Sequence, residues 1–278
     1  MSGGPPRDPR RRLLASLVLA GALAWLFLGL SPADLVPDEA GRGVLRRFLA
    51  GAVSPALDYE AAAPPGSPPL VAKVARAMGD TLVFALAGMS LALVIGVVLG
   101  FLGSTARWGR RAGTAGRWFP LVLCRLLIAG LRSVHELLWA VLFLAAFGLT
   151  PFSAVLAIAL PYGGSLAKVF SEMLDESPRS SAEALEAIGA RPLEGFLCGL
   201  VPRALPDLAS YAFYRLECAV RSSAVLGFFG VPTLGYYLKL SVENVHFREV
   251  WTYLYALLAL VLVFELWSSR LRARVVAR

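Results

Sequence analysis

The sequence predicts an all-α, polytopic membrane protein with six transmembrane helices, and three observations carry that class. Hydrophobic residues fill 57% of the 278 positions against 17% charged, with a mean hydropathy of +0.66, well above a soluble domain of this size. Apolar runs near the length a helix needs to cross a hydrocarbon core, about 20 residues, recur along the chain. The basic residues behind the net charge of +8 sit in short clusters beside those runs, which is the pattern of membrane-flanking loops and argues against a nucleic-acid partner.

The elements follow in order. Residues 1–12 form a basic N-terminus, and residues 13–30 an uncharged run read as the first transmembrane helix. A cleaved signal peptide is the alternative, but the run is long and the following SPADLV is a poor small-x-small cleavage site. Residues 31–78 form an outer connection, proline-rich at AAAPPGSPP, in which GVLRRFLAGAV is expected as a short amphipathic helix at the membrane surface. A core domain covers residues 79–268, beginning with a second span over 81–103.

The third span lies within residues 119–149, a run longer than one crossing requires. Its first part, to about Arg132, reads as an interfacial helix whose Arg125 and Arg132 snorkel to headgroups; SVHELLWAVLFLAAFGL then crosses. The fourth span, 152–170, is expected to break at the PYGG of 161–164. A polar loop over 173–204 leads to a fifth span over 205–229 and a sixth over 250–267, followed by a basic tail, 269–278. With the N-terminus inside, fifteen basic residues fall in cytoplasmic segments and seven outside, so both termini and the polar loop are placed in the cytoplasm. Cys124, Cys198 and Cys218 are odd in number and lack metal-ligand spacing; they read as packing residues, with no metal site.

The polar loop contains SSAEALEAIGARPLEGFLCGLVP, residues 180–202. Ser180 and Glu183 have the spacing of a capping box, Gly189 is placed to end the helix they start, and Pro192 suits the first turn of a second one. Ala184, Leu185 and Ile188 form a small apolar face, too small to hold a domain together but shaped for a partner's groove. An ordinary amphipathic loop lying on the membrane is the alternative.

Glu183-Ala184, Gly189 and Pro202 fall at the spacings of the EAA-x3-G-x9-I-x-L-P signature and so resemble ABC importer permeases, with Leu185, Gly199 and Val201 as departures. Residues 132–160 and 214–230 resemble the permease subunits of phosphonate and phosphite importers, a likeness running over roughly residues 80–265. The resemblance implies a type I importer core of five helices, methionine-permease-like, with residues 13–30 as an additional N-terminal helix. It also implies a bacterial inner membrane, a second permease copy, identical or paralogous, and two ABC ATPase subunits. A periplasmic or lipid-anchored substrate-binding protein completes the assembly. By the same match, Glu183, Ala184, Leu185, Ile188, Gly189 and Pro202 belong to a coupling helix that seats in an ATPase groove. No G-x4-G-K-[ST] occurs, so ATP and Mg belong to the partner ATPase and the chain holds no cofactor of its own.

Ionisable residues within membrane segments are costly when unpaired and default to functional candidates. Arg132 with Glu136, and Glu217 with Arg221, are four apart and each reads as a same-face ion pair that either braces a helix or serves the passage. Arg215 and Ser222 share one helical face, and guanidinium with hydroxyl donors suits a phosphorus oxyanion in transit. His135 completes the candidate pathway. Gly227, Gly230, Pro232 and Gly235 in GFFGVPTLG read as a sharp re-entrant gate, a plain loop being the alternative. Two rivals remain: a permease for an amino acid, an osmolyte or another anion, and an intramembrane hydrolase built on His135 and Ser165. The hydrolase lacks a G-x-S-x-G elbow and an orienting acid.

Overall fold

The computed structural model describes residues 9–29, 31, 36–62, 65–108 and 115–276, and among them every regular element is helical. Residues 1–50 form a small unit of their own and residues 51–278 a second. The first unit contains α1 (Pro9–Phe27) and the start of α2 (Glu39–Val53). The arginines at 10–12 occupy the first turn of α1, leaving about 22 Å of apolar rise before Phe27; the last residue of the expected first span, Leu30, lies outside the described residues. At the head of α2 the Asp38 carboxylate accepts from Gly41 N at 2.7 Å, satisfying one of the free amides of a helix start.

The larger unit is organised on α3 (Leu70–Gly103), whose buried face is a line of small residues: Ala77, Thr81, Ala85, Gly88, Ala92, Gly96 and Gly100. In an apolar medium helices associate by close packing rather than by expelling water, and small side chains let the backbones approach. The partner is α6 (Pro151–Glu176). Ile158 sits over Gly88, Leu166 over Gly96 and Phe170 over Gly100, each pair being 70 residues apart in sequence. A constant offset in the same direction means that α3 and α6 run parallel.

That fact decides the topology between them. The chain leaves α3 at Gly103 and re-enters at Pro151, which by the same register stands level with Thr81, about 33 Å back along the axis. The connection, α4 (Ala115–Ser133) and α5 (Glu136–Phe147), is bent by 89° between its two helices. Alone, α5 rises only about 18 Å and does not cross. The reading of the segment after Arg132 as a span by itself is therefore corrected: α4 and α5 together make one pass.

The expected break at Pro161 is also absent. Helix α6 runs 26 residues without interruption, because Gly163 and Gly164 serve packing rather than bending. Gly163 lies against Ile95 of α3, and Gly164 against Leu131 of α4. After a short loop, α9 (Val201–Val225) returns antiparallel to α6, with Ala204 clustered with Leu174 and Tyr211 6.4 Å from Phe170. Beyond it lie α10 (Leu234–Glu243) and α11 (Phe247–Val276). Tyr253 and Leu260 of α11 join Ala77, Ala85 and Val220 in one buried cluster, and Trp267 meets Phe213.

By length and composition three of the described helices are able to cross, or up to five when each bent pair counts once, which is consistent with the five-helix core expected.

The segment before α3 is stapled to α11. The Glu60 carboxylate accepts from Arg248 N at 2.6 Å and Glu249 N at 3.1 Å, capping α11 from 188 residues away. Glu60 N in turn donates to Glu249 at 2.8 Å, and Thr252 donates to Ala56 O at 2.7 Å. Lys73 stands 5.3 Å from the Tyr59 ring and 4.8 Å from the Tyr237 ring. Burial, and after it the Glu249 carboxylate, push the Tyr59 phenol above its ordinary pKa, so it remains a donor to Pro68 O at 2.9 Å.

Candidate functional site

The polar loop holds two short helices, α7 (Ser180–Ala187) and the single turn α8 (Pro192–Glu194). A helix starts at Ser180, but no capping box forms there. Arg179 already has helical dihedrals, φ −82° and ψ −1°, so Ser180 lies inside the first turn and its side chain makes no cap hydrogen bond. The extended residue of the link is Ser177, at φ −63° and ψ 138°, three positions before Ser180, and a cap requires that backbone at the capping residue itself. The reciprocal capping contact forms instead at the start of α8, where Glu194 accepts from Arg191 N at 2.8 Å. Gly189 ends α7 at φ +101°, a left-handed conformation that an L side chain resists.

A six-residue π-turn, Gly195–Leu200, follows and was not legible in the sequence. Val201 N reaches back five residues to Phe196 O, so the helix is locally wide just before Pro202, whose ring removes the next donor. Ala182 of α7 is buried on this turn. A Cβ at Gly199 would stand 2.8 Å from Ala182 N, and one at Gly195 3.1 Å from Ala182 O. With Ala182 turned inward, Glu183, Ala184 and Ile188 are exposed and Leu185 half-buried; Ile188 is 82% exposed.

The pathway candidates fall into two groups. The break between α4 and α5 places His135 as the cap of α5, its Nδ1 accepting from Leu137 N at 3.3 Å. Glu136 follows at the first helical position, 3.5 Å from His135 Nε2. Because the helix bends between them, Arg132 and Glu136 do not share a face and form no ion pair, contrary to their spacing. Glu136 instead accepts from Ser222 Oγ at 3.0 Å, and Ser222 Oγ lies 2.8 Å from the Tyr162 hydroxyl. The Arg215 guanidinium stands 4.4 Å from the Tyr162 ring centroid, and its buried Nε has no hydrogen-bond partner among the described residues.

A connected line thus runs from His135 through Glu136, Ser222 and Tyr162 to Arg215, joining α5, α6 and α9. Tyr162 is the member the sequence did not reveal, hidden in a stretch read as a helix break. The second group is Glu217 with Arg221, paired at 3.0 Å as their spacing predicts. His135 and Ser165 are not hydrogen-bonded to each other, and no group of metal-ligating side chains exists among the described residues.

The gate candidates form a turn. Leu226–Phe229 is a 3-10 turn and Gly230 is left-handed at φ +97°; Pro232 is exposed at the corner. The two arms meet so closely that a Cβ at Gly227 would lie 2.1 Å from Tyr236 N, and one at Gly235 2.0 Å from Ala224 O. Thr81 of α3 anchors the turn, accepting from Leu234 N at 3.0 Å through its hydroxyl and from Ser223 Oγ at 2.8 Å through its carbonyl.

Residues 88–278 match the family model described as the binding-protein-dependent transport system inner membrane component. Among relatives, the phosphite transport system permease protein PtxC of Stutzerimonas stutzeri is 32% identical over 197 residues, covering 71% of this chain and 69% of that one. The phosphate-import permease protein PhnE of Mycolicibacterium smegmatis is 28% identical, covering 72% of this chain and 36% of that one. In structure, the inward-facing MetNI methionine ABC transporter aligns with a TM-score of 0.64 at 22% identity, covering 75% of this chain and 99% of that chain. The resemblance to ABC importer permeases is thus borne out over residues 88–278. This chain belongs to the family of binding-protein-dependent transport system inner membrane components, as the permease subunit of an ABC importer.

Proposed function

We propose that this permease moves phosphite, a phosphonate or a related phosphorus oxyanion into the cytoplasm. The observation that carries the substrate class is the kinship with the phosphite permease of S. stutzeri. Arg215 gives it a chemical basis: a guanidinium with an unpartnered Nε beside hydroxyls supplies charge and donors to an oxyanion leaving water. Binding there is weak, since conduction requires release. Two permease copies enclose the passage, and residues 227–235 close it on the outer side. The loop over 173–204 faces the cytoplasm with both termini, and Ile188 and its neighbours seat in two partner ATPases that bind ATP and Mg. A periplasmic or lipid-anchored binding protein delivers the anion. Closure of the ATPases moves α7 as a rigid body and, through the π-turn, α9.

Growth and uptake of the host with and without the gene, on phosphite, methylphosphonate, 2-aminoethylphosphonate or phosphate as sole phosphorus source, test the reading. Selective loss on one phosphorus anion is expected, and unchanged uptake of all four overturns the substrate class. Arg215→Gln, in protein that still assembles and hydrolyses ATP, is expected to cut uptake; full uptake removes Arg215 from the passage. Inorganic phosphate is the second reading, favoured by the relative in M. smegmatis that is named for phosphate import.

A further inference from the structure

A groove of about 200 Å³ opens between α4 and α6. Its α4 wall is Arg125, Ile128, Ala129 and Arg132, spaced i, i+3, i+4 and i+7 on one helical face; its α6 wall is Lys168, Ser171 and the carboxylate of Glu172. Ile128 and Ser171 are buried and form the floor, so the basic side chains stand around a recess rather than on an open surface.

The charges do not cancel. Arg125 is held by Asp175 at 3.3 Å and by Gly103 O at 3.1 Å, and Lys168 pairs with Glu172 on its own helix. Arg132 has no ion pair among the described residues, which leaves one positive charge of the lining without a carboxylate partner there. That surplus matches a monoanion with several acceptor oxygens, and guanidinium groups favour phosphate-type oxygens in particular. On either side of Arg125 along α4, Phe119 (74% exposed), Val122 (46%) and Leu126 (64%) make an uncovered apolar strip. A basic recess beside such a strip suits a lipid whose chains lie on the helix and whose head group enters the groove.

We infer that this groove is a binding site for a phosphate-type oxyanion, carried by an anionic phospholipid head group or free as a small phosphorus oxyanion. The free-anion arm rests on the proposed substrate class, whereas the groove is lined by neither Arg215 nor Ser222.

The test uses the full permease purified with its ATPase partners and compares wild type with Lys168→Gln and Lys168→Gln/Arg132→Gln. Native mass spectrometry after reconstitution with phosphatidylglycerol reads the lipid source. Titration of phosphite into complexes in phosphatidylcholine nanodiscs reads the free anion. A loss of retained phosphatidylglycerol of about tenfold or more in the double variant assigns the head group, and the same loss in phosphite affinity assigns the free anion. Arg132→Lys, which keeps the charge, is expected to restore part of whichever signal is lost. Equal lipid retention and equal phosphite affinity across all variants overturn the inference. Uptake by Arg215→Gln is read separately, so failure at the groove and failure of the passage are distinguishable.

Discussion

Gly199 stands where the importer signature carries isoleucine, and restoring that residue is expected to damage this protein. A Cβ at position 199 would lie 2.8 Å from Ala182 N and 2.9 Å from Ala182 Cα. Ordinary contacts fall near 3.5–4.0 Å, so the shortfall is roughly 0.6–1.2 Å. The crowded atoms are backbone, and no rotamer change relieves them; α7 itself has to move. Overpacking of this kind costs about 1–3 kcal/mol, offset by about 0.5–1 kcal/mol from replacing glycine within a helical turn. The net for Gly199→Ala is about 0–2.5 kcal/mol, and for the larger side chain of Gly199→Ile about 3 kcal/mol.

At roughly 2–4 °C per kcal/mol for a chain of this size, Gly199→Ala lowers the midpoint of thermal unfolding in detergent by up to about 10 °C. Gly199→Ile lowers it further. Because the displaced element is the loop proposed to meet the ATPases, ATP-driven uptake in proteoliposomes falls more steeply than stability does. A Gly199→Ile protein that unfolds at or above the wild-type temperature and transports normally refutes the close packing of α7 on the π-turn.

Three other substitutions have expected outcomes of their own. Ile188→Asp leaves thermal stability within about 0.5 kcal/mol, since the side chain is 82% exposed. It weakens ATPase association measured by co-purification by about 2 kcal/mol or roughly thirtyfold, and unchanged association removes Ile188 from the interface. Thr81→Val keeps the shape but strands the amide of Leu234, now bonded at 3.0 Å; a cost of about 1–3 kcal/mol is expected as faster hydrogen exchange confined to residues 226–236. Glu60→Ala removes two charge-assisted bonds at the start of α11, and faster limited proteolysis within residues 51–69 is the expected readout, at about 1–3 kcal/mol.

How far the sequence could be read depended on whether the determining contacts were local. The ends of α7 and α8 were legible because Gly189 and Pro192 act through their own backbone. The continuity of α6 was not, because whether a Pro-Tyr-Gly-Gly run breaks a helix depends on what lies beside it, here Ile95 and Leu131. Spacing also paired Arg132 with Glu136 on the assumption of one helix, and the 89° bend between α4 and α5 removes that assumption. The Glu136–Ser222–Tyr162 line spans 86 residues and three helices, and no pattern within a single helix predicts it. The anchoring role of Thr81 is illegible for the same reason: its partners are 142 and 153 residues away.

The parallel seam of α3 and α6 restricts how the molecule can move. A slip of one residue, about 1.5 Å, brings Met89, Val97 and Phe101 to the places held by Gly88, Gly96 and Gly100, and each of those places is already filled from the other side by Ile158, Leu166 and Phe170. The next register that restores small residues lies about 6 Å away, with Ala92 and Gly100 in the vacated seats. The two helices therefore have no gradual gliding coordinate and travel as one stiff beam. Motion that opens a passage has to be taken up at the joints around that beam: the bend after Ser133, the wide turn at 195–200 and the tight corner at 226–233.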